Sequence, residues 1–331
     1  MSAPLRLGTR RSALALAQSQ RVADALAASS GRPVELVPIT SEGDVSRASL
    51  SELGGRGVFA TRLREALLAG ECDLLVHSLK DLPTADAPGL VIAATPARED
   101  ARDIVVTRDG TPLHDLAPGA LVGTGSPRRV AQVLRHNPRV RVQDLRGNVD
   151  SRLARVRDGE LDAVVLAAAG LVRLGGDLGG LFGEPVGLRE WPTAPGQGAL
   201  AVETRADAAP ELRDALAALE DDATRIAVTA ERAVLAGLDA GCSAPVGVHA
   251  ELAEGDLRVR AIVYALDGRR RVGLDRTRAL SPRYARSGSG NGADAADGAD
   301  PIARAARTGA EIARRLLERG AADLVPREST P

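Results

Sequence analysis

One lysine stands among 43 basic residues; the other 42 are arginine. That lysine, Lys80, precedes Asp81 at the end of the apolar run Leu74-Leu75-Val76-His77-Ser78-Leu79. A solvated charge hardly distinguishes the two residue types. A position that keeps an ammonium in so arginine-rich a chain therefore points to a need for a compact point charge rather than a planar fork. The neighbouring carboxylate falls at a strand end, where open α/β sheets place their ligands. In isolation, one surviving lysine beside an ordinary strand-ending aspartate would look the same.

The arginines are informative by placement. Gly123-Thr124-Gly125-Ser126-Pro127-Arg128-Arg129 follows a strand-like run and opens a helical one, with Ser126 at the N-cap and Pro127 at the first helical position. A helix start offers free backbone N–H groups, and two arginines add charged donors. Asp144-Leu145-Arg146-Gly147-Asn148-Val149-Asp150-Ser151-Arg152 repeats the arrangement, and Thr9-Arg10-Arg11-Ser12 makes a third. Any one of these alone reads better as helix capping with solvated arginines. Three of them at successive strand ends, together with Lys80, imply a cleft for a polyanion, a polycarboxylate or a phosphorylated compound.

Cys242 lies in Gly241-Cys242-Ser243-Ala244-Pro245-Val246-Gly247, a sequence that favours a tight exposed loop. A loop thiol can act as a nucleophile or an attachment point if its surroundings favour thiolate; a lone cysteine is more often a small buried hydrophobe. Cys72, at the apparent end of a helix, reads as the buried kind. Neither a Walker A sequence nor G-x-G-x-x-G occurs, since Gly123-Thr124-Gly125 lacks the third glycine. The four histidines lack metal-ligand spacing, so no metal is expected. Aromatics at 2% argue against base-stacking surfaces, and a net charge of −1 gives no global pull toward nucleic acid or anionic membrane.

These residues need a scaffold. A chain of 331 residues, 44% hydrophobic, can build two or three domains with a core of Leu, Val and Ala. The longest apolar stretch, Ala163–Val172, is too short to span a bilayer, no secretory signal is visible, and two cysteines make no disulfide framework. A reducing cytoplasm is the expected home. Strand-like runs at Leu5–Thr9, Val34–Thr40, Leu74–His77, Leu90–Thr95, Ile104–Thr107, Leu121–Gly123 and Ala163–Ala167 alternate with helical periodicity. The helical runs are Ser12 to about Ala28, Val58–Ala69, Pro127–His136 and Val149–Asp158. This rhythm predicts mainly parallel sheets. A strand at Ala199–Glu203 and helices at Pro210–Leu219 and Asp222–Leu238 follow. Three antiparallel strands come next (Val246–Leu252, Leu257–Leu266, Arg271–Leu280), the last two joined by an Asp267-Gly268 turn. Residues 286–300 are Gly/Ser/Ala/Asp-rich and are expected to be a disordered insertion. A final helix, Ile302–Arg319, carries Ile302, Ala306, Ile312, Leu316 and Leu317 on its apolar side.

Assembled in order, the motifs closely resemble the hydroxymethylbilane synthase (porphobilinogen deaminase) family from Leu5 to about Leu266. They include Thr9-Arg10-x-Ser12-x-Leu14-Ala15-x-x-Gln18, Val76-His77-Ser78-Leu79-Lys80-Asp81-Leu82-Pro83 and Gly123-Thr124-x-Ser126-x-Arg128-Arg129. Leu145-Arg146-Gly147-Asn148-Val149, Leu166-Ala167-x-Ala169-Gly170-Leu171-x-Arg173-Leu174, Pro195-Gly196-Gln197-Gly198-Ala199 and Gly241-Cys242-x-x-Pro245-x-Gly247 complete the set.

The resemblance implies two α/β domains of the type II periplasmic-binding-protein kind around a cleft, plus a small C-terminal α+β domain. The expected division is 1–97 with 198–219, then 98–197, then 220–331. It implies head-to-tail condensation of four porphobilinogen units with loss of ammonia, followed by hydrolytic release of the linear tetrapyrrole. A dipyrromethane primer would be covalently attached to Cys242. Asp81 would be the catalytic carboxylate, stabilising a cationic azafulvene-like intermediate. Lys80, Ser78, Thr124, Ser126, Arg128, Arg129 and Arg146 would bind the primer, and Arg10, Ser12, Gln18, Arg152, Arg173 and Gln197 the substrate units. The partners are porphobilinogen and the growing pyrrole chain, with no nucleic acid and no membrane, on a monomer. Thr61, Gly125 and Glu42 depart from the family pattern, which often has lysine, serine and arginine there. A non-catalytic carboxylate-binding module would share the cleft without needing Asp81 or Cys242, and a Schiff-base lyase would use Lys80 as its nucleophile.

Overall fold

A computed structural model describes residues 3–40, 58–240, 244–280 and 300–324. Cys242, Glu42 and nearly all of the 286–300 segment lie outside the described residues.

Strand β1 (Leu5–Thr9) delivers the chain to Ser12, whose extended backbone and side-chain oxygen, accepting from Ala15 N–H, start helix α1 (Ala13–Ser30). Gly31 ends that helix at φ 67°, a left-handed position that favours glycine. Strands β2 (Val34–Pro38), β3 (Leu74–Ser78), β4 (Leu90–Ala94) and the late β10 (Leu200–Arg205) join β1 in the order β2-β1-β3-β10-β4. Helix α2 (Val58–Leu68) packs on this sheet. The second sheet, β7-β6-β8-β5-β9, repeats that logic with β5 (Asp103–Thr107), β6 (Leu121–Gly123), β7 (Arg141–Gln143), β8 (Ala163–Ala167) and β9 (Phe182–Pro185). Its helices are α3 (Pro127–His136), α4 (Val149–Arg157) and α5 (Ala168–Arg173). Helices α6 (Pro210–Ala217) and α7 (Asp222–Gly237) follow β10. An antiparallel sheet of β11 (Val246–Ala253), β12 (Asp256–Tyr264) and β13 (Arg271–Ala279) then packs under α7 and α8 (Pro301–Glu318). The expected architecture of two α/β domains and a small α+β domain holds.

Both large sheets are mainly parallel, as expected, with one reversed strand in each: β10 runs antiparallel to β3 and β4, and β5 antiparallel to β8 and β9. These are the strands that adjoin the two crossings between the lobes, so each enters its sheet against the local direction. Other expectations need correction. β7, β9 and α5 escaped the sequence reading. β7 is three residues with one apolar side chain, β9 is exposed along its whole length, and α5 continues the apolar run of β8 without a break. The β12–β13 connection spans residues 265–270, because pairing stops at Tyr264 with Arg271, and only Gly268 needs a positive φ. Asp300 is the N-cap of α8 rather than the end of an insertion. The buried face of α8 runs through Ala305, Thr308, Gly309, Ile312, Ala313 and Leu316, leaving Ile302 and Leu317 exposed. Helices α7 and α8 approach so closely that a Cβ at Gly309 would stand 2.3 Å from the Ala230 carbonyl oxygen, and this turns the contact stripe toward small residues.

Candidate active site

Strand β3 ends in a single 3-10 turn, Leu79–Asp81. Leu79 and Leu82 are buried against Ala199, Ala201 and Val228, and Leu79 N–H donates to the Ala199 carbonyl at 3.0 Å. From α7, Arg232 donates to the Leu82 and Pro83 carbonyls at 3.0 and 2.6 Å. The turn is thus anchored on both sides, with Asp81 exposed and Lys80 half-buried. Ser78 and the buried Gln18 exchange hydrogen bonds of 3.0 and 3.1 Å just behind it. His77, at the other end of the motif, points away toward the buried Glu203, 3.3 Å from its Oε2. Burial pushes the Lys80 ammonium down to about 8; Asp81 opposes this, Arg129 and Arg128 add to it, and Asp103 opposes it. Lys80 therefore feels charges from both lobes.

The facing lobe supplies Arg128 and Arg129 at the start of α3. Ser126 holds the N-cap backbone conformation, yet its hydroxyl makes no capping bond; Thr124 Oγ1 accepts from Ser126 N–H at 3.2 Å. Both arginines are buried and share one carboxylate that the motif reading missed. Asp103 accepts from Arg128 Nη1 at 2.9 Å, Arg129 Nη2 at 2.6 Å, Trp191 Nε1 at 2.8 Å and Gln197 Nε2 at 2.8 Å. Burial alone would raise the Asp103 pKa, but the charges of Arg128 and Arg129 outweigh it and hold the carboxyl far below the usual range. Gln197 joins the lobes, its Nε2 bonded to the Ala101 carbonyl and Asp103, its Oε1 3.5 Å from Lys80 Nζ.

Arg146 and Arg152 extend this cation field. Burial lowers the Arg152 pKa to about 10, with repulsion from Arg129 and Arg146 contributing and Asp144 opposing, so the three guanidinium groups share one neighbourhood. Arg152 Nε donates to the Gly147 carbonyl at 2.9 Å. A Cβ at Gly125 would stand 2.9 Å from the Leu145 carbonyl oxygen, which explains a glycine between these two turns. Arg173 sits elsewhere: its Nη2 donates to the Gly198 carbonyl at 2.6 Å, and burial lowers its pKa to about 10 beside Glu99 and Arg21. Ser12 is occupied as the α1 cap, Arg10 is half-buried next to it, and Thr61 is exposed on α2. Cys72 is buried, and burial pushes its thiol up to about 11. Among the described residues no group of three or more His, Cys, Asp or Glu could hold a metal ion, and no helix is long and apolar enough to cross a membrane.

The Nε atoms of Arg128, Arg129 and Arg146 are buried with no hydrogen-bond partner. A buried charged donor without an acceptor is costly. Three of them in one neighbourhood define an acceptor-seeking site, and polycarboxylate chemistry fits it. A dipyrromethane, with its acetate and propionate arms, offers such acceptors, so the residues present fit that group.

Buried arginines on one lobe and an exposed carboxylate beside a lysine on the other give this two-lobed α/β protein a cation-rich site whose chemistry suits a polyanion. The family follows from comparison: residues 5–212 match the model described as "Porphobilinogen deaminase, dipyromethane cofactor binding domain" and residues 225–281 match "Porphobilinogen deaminase, C-terminal domain". The chain belongs to the porphobilinogen deaminase family. It is 52% identical over 327 residues to the porphobilinogen deaminase of Leifsonia xyli subsp. xyli, covering 97% of this chain and 94% of the relative. It is 50% identical over 333 residues to porphobilinogen deaminase 1 of Streptomyces coelicolor, covering 97% of each. Among solved structures, the VFT2 domain of Bordetella pertussis BvgS matches with 16% identity and a TM-score of 0.41, covering 70% of this chain and 91% of that one.

Proposed function

We propose that this chain is a transferase that joins four porphobilinogen units head to tail, releasing ammonia at each addition, and then frees the linear tetrapyrrole by hydrolysis. The observation that carries the reading is the set of three buried arginine Nε atoms without a hydrogen-bond partner, two of them on arginines whose charge reaches Lys80 from the other lobe. When bound, the dipyrromethane supplies the pyrrole terminus on which the chain is built. Cys242 holds it through a thioether. Arg128, Arg129 and Arg146, with Lys80, Ser78, Thr124 and Ser126, hold its carboxylates; Arg10, Ser12, Gln18, Arg152, Arg173 and Gln197 serve the substrate units. The geometry qualifies two of these roles: Gln197 acts by orienting Lys80, and Arg173 acts from a separate neighbourhood.

Asp81 does the chemistry. Its exposed carboxylate, fixed by the buried Leu79 and Leu82, stands where positive charge grows as an aminomethyl nitrogen departs as ammonia. Lys80 binds carboxylate rather than forming a Schiff base. We place the lobes at 1–97 with 198–219 and at 98–197, the third domain at 220–331, and the protein as a cytoplasmic monomer. Intact-mass measurement followed by peptide mapping tests the whole: a dipyrromethane adduct on the Cys242 peptide and none on Cys72 is expected. An unmodified Cys242 in active protein would overturn the attachment, and a reduced amine on Lys80 after borohydride trapping with porphobilinogen would favour the Schiff-base lyase.

A further inference from the structure

Tyr264 is a fully buried tyrosine on β12, and its two polar ends join two different parts of the site. Its backbone N–H donates to the Pro245 carbonyl at 2.9 Å, three positions after Cys242 in the sequence. Its hydroxyl accepts from Gln132 Nε2 at 3.2 Å. The other end of the same carboxamide, Gln132 Oε1, accepts from Arg128 Nη1 at 2.6 Å, and Nε2 also donates to the Pro192 carbonyl at 2.9 Å. The surroundings are rigid. Ile262 and Tyr264 pack on Ala131 of α3, a Cβ at Gly268 would stand 2.5 Å from the Ala131 carbonyl oxygen, and Val248 N–H donates to the Thr193 carbonyl at 2.8 Å. Phenylalanine would fill the same apolar space, so the hydroxyl is there for its bond.

We propose that Tyr264 and Gln132 are positioning residues through which the third domain orients the Arg128 guanidinium, and so fix how it grips the bound primer. This rests on the functional reading above. Arg128 is held from two sides, by Asp103 and by Gln132, and only the second side is tied, through the Tyr264 hydroxyl, to the domain that carries Cys242. Losing that link leaves Arg128 in place but frees its orientation relative to the primer. Small misplacements of this kind cost rate out of proportion to their size.

The test uses purified full-length holoprotein of the parent, Tyr264→Phe, Gln132→Met and Gln132→Glu. Tyr264→Phe should fold with nearly the parent Tm, lower kcat by about tenfold and leave KM within about twofold, as expected for one lost buried hydrogen bond read out in the reacting geometry. Independently of turnover, intact mass should show a smaller fraction of chains carrying the dipyrromethane. After brief exposure to porphobilinogen, the adducts should pile up at the first addition. Gln132→Met should repeat the effect more strongly, and Gln132→Glu, which keeps an acceptor for Arg128, should restore most of it. Parent-like primer fractions, adduct ladders and kcat in Tyr264→Phe and Gln132→Met, with only Tm lowered, would overturn the proposal. Should Gln132→Met fail to fold, Tyr264→Phe decides alone. A parent protein with no dipyrromethane mass would instead overturn the functional reading, and this one with it.

Discussion

Asp103→Asn is the most revealing single substitution. Asp103 is fully buried and receives four donors, two of them from guanidinium groups that are themselves buried. Asparagine keeps the shape but removes the charge and turns one acceptor into a donor aimed at other donors. Breaking a buried ion pair by removing one partner costs about 3–5 kcal/mol, chiefly because the remaining charge is left uncompensated. At roughly 2–4 °C per kcal/mol for chains of a few hundred residues, Tm should fall on the order of 10 °C. That loss is tolerable within a typical stability of about 5–15 kcal/mol, so the variant should still fold at moderate temperature. Two consequences follow for function. Arg128 and Arg129 lose the group that orients them, so the primer fraction by intact mass should drop. They also gain an unmet charge, so sodium sulfate should raise the Tm of the variant more than that of the parent. Because the Asp103 pKa is held far below the ordinary value, its contribution should be constant from pH 7 down to the unfolded carboxylate pKa and be lost only below it. Differential scanning fluorimetry across pH and sulfate, paired with mass spectrometry, reads all of this. Parent-like Tm and primer fraction would refute the idea that one buried carboxylate organises the cation field.

Asp81→Asn should fold and carry primer yet turn over about 100- to 1,000-fold more slowly, the cost of removing a preorganised group that stabilises developing charge; near-normal kcat would rule out the role. Lys80, with its ammonium pushed down to about 8, should bind carboxylate fully at pH 7 and lose that ability as pH rises through 8. Activity should therefore fall on the alkaline side, and Lys80→Arg should flatten that limb; an identical alkaline limb in both proteins would refute it. Arg146→Leu should accumulate adducts with one or more added rings, while Arg128→Leu should carry little primer, each arginine contributing about 1.5–3 kcal/mol at its own carboxylate; parent-like ladders in both would make these arginines bystanders.

Much of the site was legible because its residues announce themselves locally. A lone lysine next to a strand-ending aspartate, and arginines at helix starts, are patterns of adjacent residues, and the structure brings Lys80, Arg128, Arg129, Arg146 and Arg152 into one field. What escaped was whatever depends on distant partners. Asp103 sits in Ala101-Arg102-Asp103-Ile104, where nothing local separates it from Asp100, which merely pairs with Arg102 on the surface. Gln132 and Tyr264 lie 132 residues apart and have no meaning until α3 and β12 touch. Arg173 shows the converse: its motif is as clear as the others, yet it bonds to Gly198 and lies near Glu99 and Arg21. In the fold, long periodic elements were readable, and the short or continuous ones were not. β7 is too short for a period to appear, and Ala and Leu across the β8–α5 junction suit strand and helix alike.

Two buried carboxylates, Asp103 and Glu231, explain how three sheets come to share one site. Glu231, on α7, accepts both guanidinium nitrogens of Arg98 at 2.7 and 3.1 Å, together with Gly196 N–H at 2.6 Å and Ala250 N–H at 2.7 Å. Arg98 lies on the outgoing crossing between the lobes, Gly196 on the return, and Ala250 in the third sheet. Arg98 Nε also donates to the Gln197 carbonyl at 2.8 Å, and Gln197 is the residue whose side chain reaches both Lys80 and Asp103. The crossing that connects the lobes is therefore the same segment that orients the cations. A change in the angle between the lobes would act on Gln197, whose Oε1 lies 3.5 Å from Lys80 Nζ while its Nε2 holds Asp103 at 2.8 Å. Stepwise lengthening of a polyanionic chain, as proposed above, would call for such a division: an arginine lobe to keep the primer, and a lysine–aspartate turn coupled to it through Gln197.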